Sequence, residues 1–265
     1  MIEVHTYDGR GWPILEAYSK FKFPAGELQV TVKMKEGDYA NIIFDFENNE
    51  EIIELLLIAD AVKRAGGTVN NLHIPYVPFA RQDRVANVGE CFSLKVFADL
   101  INSIGAKHVY VVDPHSDVTT ALIDNIVVTT QAEIVRALFD NQKDLYTGKF
   151  VFIAPDGGSL KKIHKVVAKV PFNVLEVVSC DKTRDTMTGA ILETVVHKDK
   201  FDEEPCIIVD DICDGGKTFT EIAKVLKAKG AGKVILIVSH GLFTKGLEVF
   251  DGLIDEIYTR KGKVK

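Results

Sequence analysis

The sequence is poor in the features that mark secreted, membrane-spanning and zinc-binding proteins. Its four cysteines (Cys91, Cys180, Cys206 and Cys213) form no CxxC pair and have no zinc-ligand spacing, so we expect free thiols in a reducing compartment. The amino-terminal stretch MIEVHTYDGR contains acid and lacks an apolar centre, so we expect no signal peptide. No apolar run approaches the roughly 18 residues that a membrane span requires. These absences predict a soluble, cytoplasmic protein.

An excess of positive charge is also missing. The 265 residues include 32 Lys and Arg against 38 Asp and Glu, a formal net charge of −6. Dedicated nucleic-acid-binding domains usually have a basic balance, so this class is disfavoured, although a locally basic pocket is compatible with the total. Hydrophobic residues make up 46% of the chain, which suits one large or two ordinary globular domains.

Short apolar runs alternate with helix-like segments along most of the chain. Strand-like runs occupy residues 41–46, 68–76, 108–112, 150–154, 174–178, 206–209 and 234–238, and helix-like segments occupy 50–65 and 93–104. Strands separated by helices are typical of βαβ units, whose parallel sheets are covered on both faces. The predicted fold class is therefore α/β.

One segment is repeated weakly in the second half of the chain. Residues 105–115 (GAKHVYVVDPH) resemble residues 230–240 (GAGKVILIVSH) without a gap, and each copy follows an amphipathic segment. A Gly-Ala step between a helix and a strand is also common in unrelated α/β proteins, so chance similarity is the alternative. A true repeat predicts two similar domains, 1–141 and 142–265, joined at the polar run 141–149.

The stretch IIVDDICDGGKTFTEIA, residues 207–223, combines acids with a phosphate-binding pattern. Asp210 and Asp211 end an apolar run, and residues 214–218 (DGGKT) precede a helical pattern. Backbone N–H groups of a glycine loop at a helix start, with the Thr218 hydroxyl, suit a phosphate, although the spacing is not that of a P-loop. Carboxylates accept hydrogen bonds from vicinal hydroxyls. The stretch predicts a ribose 5-phosphate site, and the alternative is an acidic strand end with ordinary helix capping.

This stretch resembles the phosphoribosyl-pyrophosphate (PRPP) binding motif of type I phosphoribosyltransferases and of PRPP synthetases. Further segments resemble the synthetases in particular, in the right order along nearly the whole chain: FPAGE at 23–27, YVPFARQDR at 76–84, VDPHS at 112–116, APDGG at 154–158 and DKTR at 181–184. The resemblance implies two phosphoribosyltransferase-type domains, each with a mostly parallel sheet flanked by helices. The N-terminal domain is expected to bind ATP and the C-terminal domain ribose 5-phosphate.

The resemblance also implies roles for single residues. The implied ATP-binding residues are Phe23, Glu27, Arg81, Gln82, Asp83 and His115, with the first two reaching the nucleotide of a neighbouring subunit. The implied ribose 5-phosphate-binding residues are Asp156, Asp210, Asp211, Asp214, Gly215, Gly216, Lys217 and Thr218. The implied catalytic residues are Lys182 and Arg184 of a mobile loop, and His115. Mg²⁺ is the implied metal, with His115 and Asp156 as its expected contacts, since carboxylate and phosphate oxygens suit a hard cation.

The sequence departs from the family pattern in several places. Lys217 stands where the family usually has glycine or a small residue, and the segment after Arg84 lacks the basic residues of many members. The chain ends soon after Arg260, which resembles a short form without part of the usual C-terminus. We expect a homo-oligomer, a dimer or larger. His240, the repeat counterpart of His115, is expected to pack in a core or an interface.

Three hypotheses remain from the sequence. The first is an ATP-dependent ribose-phosphate diphosphokinase, the second a phosphoribosyltransferase that consumes PRPP, and the third a regulatory subunit that keeps the fold without activity. The RQD and KTR segments and the two-domain length favour the first over the second. A regulatory subunit should have lost the loop cations or the metal-side acids, whereas Lys182, Arg184, His115 and Asp156 are all present.

Overall fold

The structure is a computed structural model that describes residues 1–14, 18–184 and 191–265, without the side chains at 144, 146, 182–184 and 191–193. The chain divides into two compact units, Met1–Thr129 and Thr130–Lys265. The predicted boundary, after residue 141, lies at the end of a helix that the structure groups with the second unit.

The first unit is built on a mixed sheet. Its strands are β1 (Ile2–Tyr7), β2 (Pro13–Ile14), β3 (Tyr18–Lys22), β4 (Leu28–Val32), β5 (Tyr39–Phe44), β6 (Thr68–Ile74), β7 (His108–Val112) and β8 (Ile126–Thr129), and its helices are α1 (Glu50–Arg64), α2 (Ser93–Ile104) and α3 (Asp117–Leu122). In the described part of the chain the sheet has the order β2-β1-β5-β6-β7-β8. Strands β5 to β8 are parallel neighbours, whereas β1 and β2 pair antiparallel at one edge.

The core of the first unit follows the spacing of its apolar residues. Buried side chains recur every three or four residues along α1 and every second residue along β5, which are the helix and strand periods. The core between the helices and one sheet face includes Ala40, Ile42, Phe44, Leu55, Ile58, Val62, Leu72 and Phe97. Each buried Leu, Ile or Phe contributes roughly 1.5–3 kcal/mol to this packing.

Strands β3 and β4 form a separate antiparallel hairpin that is anchored on α1. The Tyr18 hydroxyl donates to Glu54 Oε1 at 2.6 Å, and the Lys20 ammonium donates to both oxygens of the same carboxylate at 2.6 and 2.8 Å. Burial and the neighbouring Glu54 carboxylate raise the pKa of Tyr18. One largely buried carboxylate therefore fixes the base of the hairpin.

The second unit is built on a larger sheet that is parallel at its centre. Its strands are β9 (Phe150–Ala154), β10 (Val174–Arg184), β11 (Ile191–Val196), β12 (Cys206–Cys213), β13 (Val234–Gly241), β14 (Glu256–Thr259) and β15 (Gly262–Lys263), and its helices are α4 (Gln131–Asn141), α5 (Lys143–Thr147), α6 (Leu160–Lys169) and α7 (Lys217–Ala228). Within the described residues the strand order is β11-β10-β9-β12-β13-β14-β15. Only the two edge strands, β11 and β15, pair antiparallel.

Burial explains the continuous apolar runs of this sheet. All five residues of β9 are buried, as expected for a parallel strand with both faces covered. Helix α4 begins with a capping box, in which the Thr130 hydroxyl accepts from the Glu133 N–H and the Glu133 carboxylate accepts from the Thr130 N–H. These two bonds satisfy backbone donors that a helix start leaves free.

The predicted α/β class and parallel sheets are confirmed by this architecture. Helix α2 and strands β7 and β9 have the bounds predicted from the sequence. Strands β10, β12 and β13 run further than their apolar runs, because polar residues at their carboxyl ends still pair with neighbouring strands. The predicted linker at 141–149 contains the short helix α5, in which Leu145 is fully buried.

The cysteines are free thiols in two kinds of environment. Cys91 is exposed, whereas Cys180, Cys206 and Cys213 are buried. Burial raises the pKa of Cys206 and of Cys213 to about 12. Among the helices that the structure describes, none has the length and hydropathy to cross a lipid bilayer.

Candidate functional site

Two neighbouring carboxylates lie near the carboxyl end of β12, as the sequence predicts. Asp211 is buried and Asp210 is partly buried. The Asp211 N–H donates to Asp210 Oδ1 at 2.9 Å, and the Ile212 N–H donates to Asp211 Oδ1 at 2.9 Å. Each carboxylate therefore takes a backbone hydrogen bond from the next residue, which fixes its orientation.

The two acids disfavour each other's ionisation. Burial, followed by the neighbouring Asp211 carboxylate and more weakly by Asp156, raises the pKa of Asp210 well above its ordinary value. The Lys162 ammonium, on α6, lies 3.7 Å from Asp211 Oδ2. Like charges disfavour a second ionised carboxylate, while a nearby cation favours ionisation. A ligand hydroxyl or a cation placed here would relieve the repulsion between these groups.

The loop after β12 leads directly into α7. Gly216 is the N-cap of α7 and has a φ of +77°. A Cβ at this position would lie 2.5 Å from the Phe250 ring, so both the backbone conformation and the neighbouring ring require glycine. The N–H groups of Phe219 and Thr220 return to the Gly216 carbonyl. The N–H groups of Lys217 and Thr218, the first helical residues, have no acceptor within the helix.

A second loop, residues 242–246 after β13, lies against the start of this one. The Leu242 and Thr244 N–H groups donate to the Cys213 and Asp214 carbonyls at 2.8 and 3.1 Å. The Thr244 hydroxyl donates to Asp214 Oδ1 at 2.7 Å. A Cβ on Gly215 would lie 3.3 Å from the Lys245 Cδ atom. The 242–246 loop therefore holds Asp214 and covers Gly215 with the stem of a lysine.

Asp156 lies in a tight turn between β9 and α6. Its Oδ1 accepts from the Ser159 N–H at 3.0 Å, and its carbonyl accepts from the Ser159 hydroxyl at 2.7 Å. Asp156 lies close enough to Asp210 for its charge to raise the pKa of Asp210. The structure therefore brings this predicted residue near Asp210 and Asp211, here called the β12 acids. The glycines that follow, Gly157 and Gly158, lie on the surface.

In the first unit, the segment after β6 carries the predicted nucleotide contacts. Phe79 adopts a φ of +62°, an uncommon conformation for an aromatic residue, and its ring lies against those of Phe46 and Phe97. The Gln82 N–H donates to the Phe79 carbonyl at 2.8 Å. The turn closed by this bond leaves the Arg81 and Gln82 side chains exposed.

Asp83, in the same segment, is buried and ionised. Burial raises the pKa of Asp83, but hydrogen bonds from the Arg84 guanidinium and the Ser116 hydroxyl outweigh it, so the net shift is downward. Arg84 Nε donates to Asp83 Oδ1 at 2.9 Å. The charge of His115 acts in the same direction. The structure thus brings together the 81–84 segment and the segment around His115, both predicted from the sequence.

The segment after β7 turns sharply at Asp113. This residue is buried, has a φ of +37°, and donates its N–H to the Thr129 carbonyl at 2.8 Å. His115 follows and is half-buried at the carboxyl edge of the sheet. Ligands of open α/β sheets bind at this edge, which suits the predicted role of His115.

Phe23 and Glu27 lie at the tip of the β3–β4 hairpin. The Phe23 N–H donates to the Glu27 carbonyl at 2.8 Å, closing a turn whose Gly26 has a φ of +95°. Phe23 is 44% exposed and its ring contacts that of Phe21 edge-on. Both Phe23 and Glu27 are therefore exposed to solvent in this unit.

Lys182 and Arg184 belong to the carboxyl end of β10, which pairs antiparallel with β11. Their side chains, and residues 185–190 entirely, lie outside the described residues. Their predicted catalytic role therefore remains a prediction.

The acids form no metal cage of their own. Within the described residues, no three His, Cys, Asp or Glu side chains are grouped so that they could hold a metal ion. Mg²⁺ usually binds one or two protein carboxylates together with substrate phosphates and water. Asp156 and the β12 acids are oxygen donors of that kind, so the residues present fit a Mg²⁺ ion that substrate phosphates help to bind.

Three residues near the β12 acids were missed from the sequence. Lys162 is one of two adjacent lysines in an amphipathic helix, a pattern that gives no hint of its neighbour Asp211. Thr244 and Lys245 follow a strand and precede a glycine. That pattern was a usable signal, since loops after parallel strands carry ligand contacts.

Comparison with known proteins agrees with this arrangement. Two family models match the chain: the N-terminal domain of ribose phosphate pyrophosphokinase at residues 14–105, and the phosphoribosyl synthetase-associated domain at residues 199–260. The crystal structure of phosphoribosylpyrophosphate synthetase from Mycobacterium smegmatis superposes with a TM-score of 0.78 at 23% identity, covering 92% of this chain and 79% of that one. The chain therefore has the α/β fold of this synthetase.

Sequence relatives define the family more narrowly. Ribose-phosphate pyrophosphokinase of Mycoplasmopsis pulmonis is 32% identical over 212 residues, which are 79% of this chain and 64% of that protein. Ribose-phosphate pyrophosphokinase 1 of Listeria monocytogenes is 31% identical over 224 residues, which are 82% of this chain and 68% of that protein. The chain belongs to the ribose-phosphate pyrophosphokinase family, and it matches about two thirds of the length of these relatives.

Proposed function

We propose that the protein is a ribose-phosphate diphosphokinase that makes PRPP. It transfers the β,γ-diphosphoryl group of ATP to the 1-hydroxyl of ribose 5-phosphate, and AMP leaves. The observation that carries the diphosphokinase proposal is membership of the ribose-phosphate pyrophosphokinase family. The junction of β12 and α7, where paired carboxylates stand directly before a glycine loop at a helix start, supports a ribose 5-phosphate site. PRPP made in this way serves nucleotide and NAD biosynthesis, and the expected location remains the cytoplasm.

The ribose 5-phosphate site is proposed at this junction. Asp210 and Asp211 accept hydrogen bonds from the ribose 2- and 3-hydroxyls, which also separate two carboxylates that repel each other. The N–H groups at the start of α7 and the Thr218 hydroxyl bind the 5-phosphate. Asp156, which is electrostatically linked to Asp210, completes the ribose end of the site.

The ATP site is proposed at the carboxyl edge of the first sheet. Arg81 binds phosphate oxygens, and Gln82 has the donor and acceptor groups that a purine edge requires. Asp83 holds Arg84 by an ion pair, and His115 lies beside it. The exposed hairpin tip with Phe23 and Glu27 is proposed to reach the ATP of a second subunit, so that the active enzyme is a homo-oligomer.

The chemistry is governed by charge, because the transferred group is already highly anionic. Mg²⁺ would neutralise and orient phosphate oxygens. Asp156 in the second unit and His115 in the first are each proposed as a contact for such an ion. Lys182 and Arg184 place cations on the diphosphoryl group during transfer. The protein therefore contributes position and electrostatic stabilisation, without a covalent intermediate.

The direct test is an assay with ATP, Mg²⁺ and ribose 5-phosphate. AMP and PRPP are expected in equal amounts, and no AMP should form without ribose 5-phosphate. A protein that forms neither product, but releases pyrophosphate from PRPP when given a purine or pyrimidine base, is a phosphoribosyltransferase. A folded protein with neither activity is the regulatory subunit.

Replacing the loop cations tests the mechanism. Lys182→Ala and Arg184→Ala are expected to lower kcat about 10²-fold or more with a modest change in KM, because these cations act in the transition state. Lys200→Ala, at an exposed lysine that pairs with Asp202, is the matched control and should keep kcat. A large loss of ribose 5-phosphate affinity with unchanged kcat would contradict the assigned role.

A further inference from the structure

Three carboxylates lie close in sequence to the proposed 5-phosphate cradle. Asp210, Asp211 and Asp214 all lie within the five residues 210–214, and a phosphate dianion brought next to them is repelled. Lys162 does not offset this repulsion fully, since its ammonium faces Asp211. Backbone N–H groups at a helix start supply only about half an elementary charge. The cradle therefore needs a further cation.

Lys245 is placed to supply this cation. Its stem runs over Gly215, because a Cβ there would lie 3.3 Å from Lys245 Cδ and 3.4 Å from both Cγ and Cε. Among the ion pairs formed by the residues that the structure describes, none includes Lys245 or Lys217. Both lysines are exposed and sit beside the same glycine loop.

The 242–246 loop is held firmly enough to position this side chain. Its Leu242, Phe243 and Thr244 N–H groups donate to the carbonyls of residues 213 and 214, and its Gly246 N–H donates to the Phe243 carbonyl at 2.8 Å. The Thr244 hydroxyl donates to Asp214 Oδ1. These bonds fix the loop that carries Lys245 against residues 213 and 214.

We propose that Lys245 is a phosphate-binding residue of the ribose 5-phosphate site, with its ammonium on the 5-phosphate and its stem closing the cradle above Gly215. This inference rests on the proposed function. It extends the site from one loop to two, so that the phosphate is bound between the start of α7 and the 242–246 loop. A lysine ammonium suits this role, because it carries three donors on a flexible stem.

Four variants separate the charge of Lys245 from its packing. Lys245→Met keeps an aliphatic stem over Gly215 without the ammonium, Lys245→Ala removes both, and Lys245→Arg keeps the charge. Lys224→Ala is the matched control, since Lys224 is exposed on α7 and pairs with Glu221 instead. Binding of ribose 5-phosphate and of ATP is measured by calorimetry, KM and kcat by the coupled assay, and folding by thermal melting.

Lys245→Met and Lys245→Ala are both expected to weaken ribose 5-phosphate about tenfold or more, with ATP binding and kcat within about twofold of wild type. Lys245→Arg should recover most of the affinity, and Lys224→Ala should behave as wild type. If Lys245→Met binds ribose 5-phosphate as wild type does, Lys245 acts only by packing and the inference is overturned. If wild type neither binds ribose 5-phosphate nor makes PRPP, the proposed function fails, and the inference with it.

Discussion

The carboxyl edges of the two sheets carry opposite electrostatics. In the first unit, burial raises the pKa of Asp83, but Arg84, Ser116 and His115 lower it by more, so this carboxylate is ionised among cations. In the second, burial and two neighbouring carboxylates raise the pKa of Asp210. The difference indicates that similar α/β frameworks present different ligand chemistry: the first edge suits a polyphosphate, and the second suits hydroxyl groups and a cation.

The same contrast appears between the two copies of the sequence repeat. In both, a helix ends before a Gly-Ala step and a strand follows. Strand β7 stops at Val112, and the positive φ of Asp113 turns the chain so that His115 is half-buried. Strand β13 continues to Gly241, and His240 is buried within it. The point at which the strand ends decides whether the histidine lies half-exposed at the sheet edge or buried in the core.

The largest expected effect tests whether the two sheet edges bind different substrates. Asp210→Ala should raise KM for ribose 5-phosphate about 10- to 100-fold and leave KM for ATP within about twofold, since it removes acceptors for the ribose hydroxyls. Arg81→Ala should do the reverse, because it removes a phosphate contact. Steady-state kinetics with each substrate varied in turn checks both. Equal effects of one variant on both substrates would show that the two edges do not divide the substrates.

A smaller effect concerns stability. Asp83→Asn should lower the free energy of unfolding by about 1 kcal/mol at pH 7, because it removes a paired carboxylate. Asp210→Asn should raise the melting temperature at pH 7, because an acid whose folded pKa is raised destabilises the folded state above its unfolded pKa. Thermal melting of both variants beside wild type gives the comparison.

The pH dependence of these two changes separates their causes. The contribution of Asp83 is present above its unfolded pKa and is lost only as the pH falls through its lowered folded pKa, so the deficit of Asp83→Asn should persist from pH 7 to 5. The advantage of Asp210→Asn should shrink over the same range, as the wild-type carboxyl takes up its proton. If the gain in melting temperature of Asp210→Asn stays constant with pH, the gain comes from packing and not from the charge of Asp210.

The smallest expected effect is a shift in one titration. Arg84→Ala should raise the pKa of Asp83, because the guanidinium that donates to its Oδ1 is lost. The carboxyl carbon resonance of Asp83, followed by NMR from pH 7 downward, reports this change. The control is Arg64→Ala, on α1, whose guanidinium pairs with Asp60; it should leave the Asp83 titration where it was.

Much of the fold was predictable, because burial on both faces gives the parallel strands continuous apolar runs. The ends of β12 and β13 were not predictable. Asp210 and His240 still pair between these strands, although their polar side chains do not indicate a buried strand. Helix α5 was missed because its sequence is polar except for Leu145 and Tyr146. Strand pairing and helix docking are decided by partners far along the chain, which composition alone does not specify.

The candidate site was predicted where one segment contains the chemistry. Residues 210–218 combine acids, glycines and a hydroxyl, so a candidate site could be predicted there without the structure, and its role remains a prediction. Lys162 was not visible, because it reaches the site from α6 and only the fold brings it near Asp211. The loop position of Thr244 was a usable signal, but its bond to Asp214 depends on the fold. The link between Asp83 and His115 is of the same kind.

The exposure of a single thiol has a practical consequence. Maleimides react with exposed thiolates. Cys180, Cys206 and Cys213 are buried, and burial has raised the pKa of the last two to about 12, so brief labelling at neutral pH should modify Cys91 alone. That residue lies between the 81–84 segment and α2, and its Sγ atom is 3.0 Å from the Ser93 hydroxyl. If ATP binds at the 81–84 segment as proposed, the fluorescence of a probe attached there should change on addition of ATP, without an engineered cysteine.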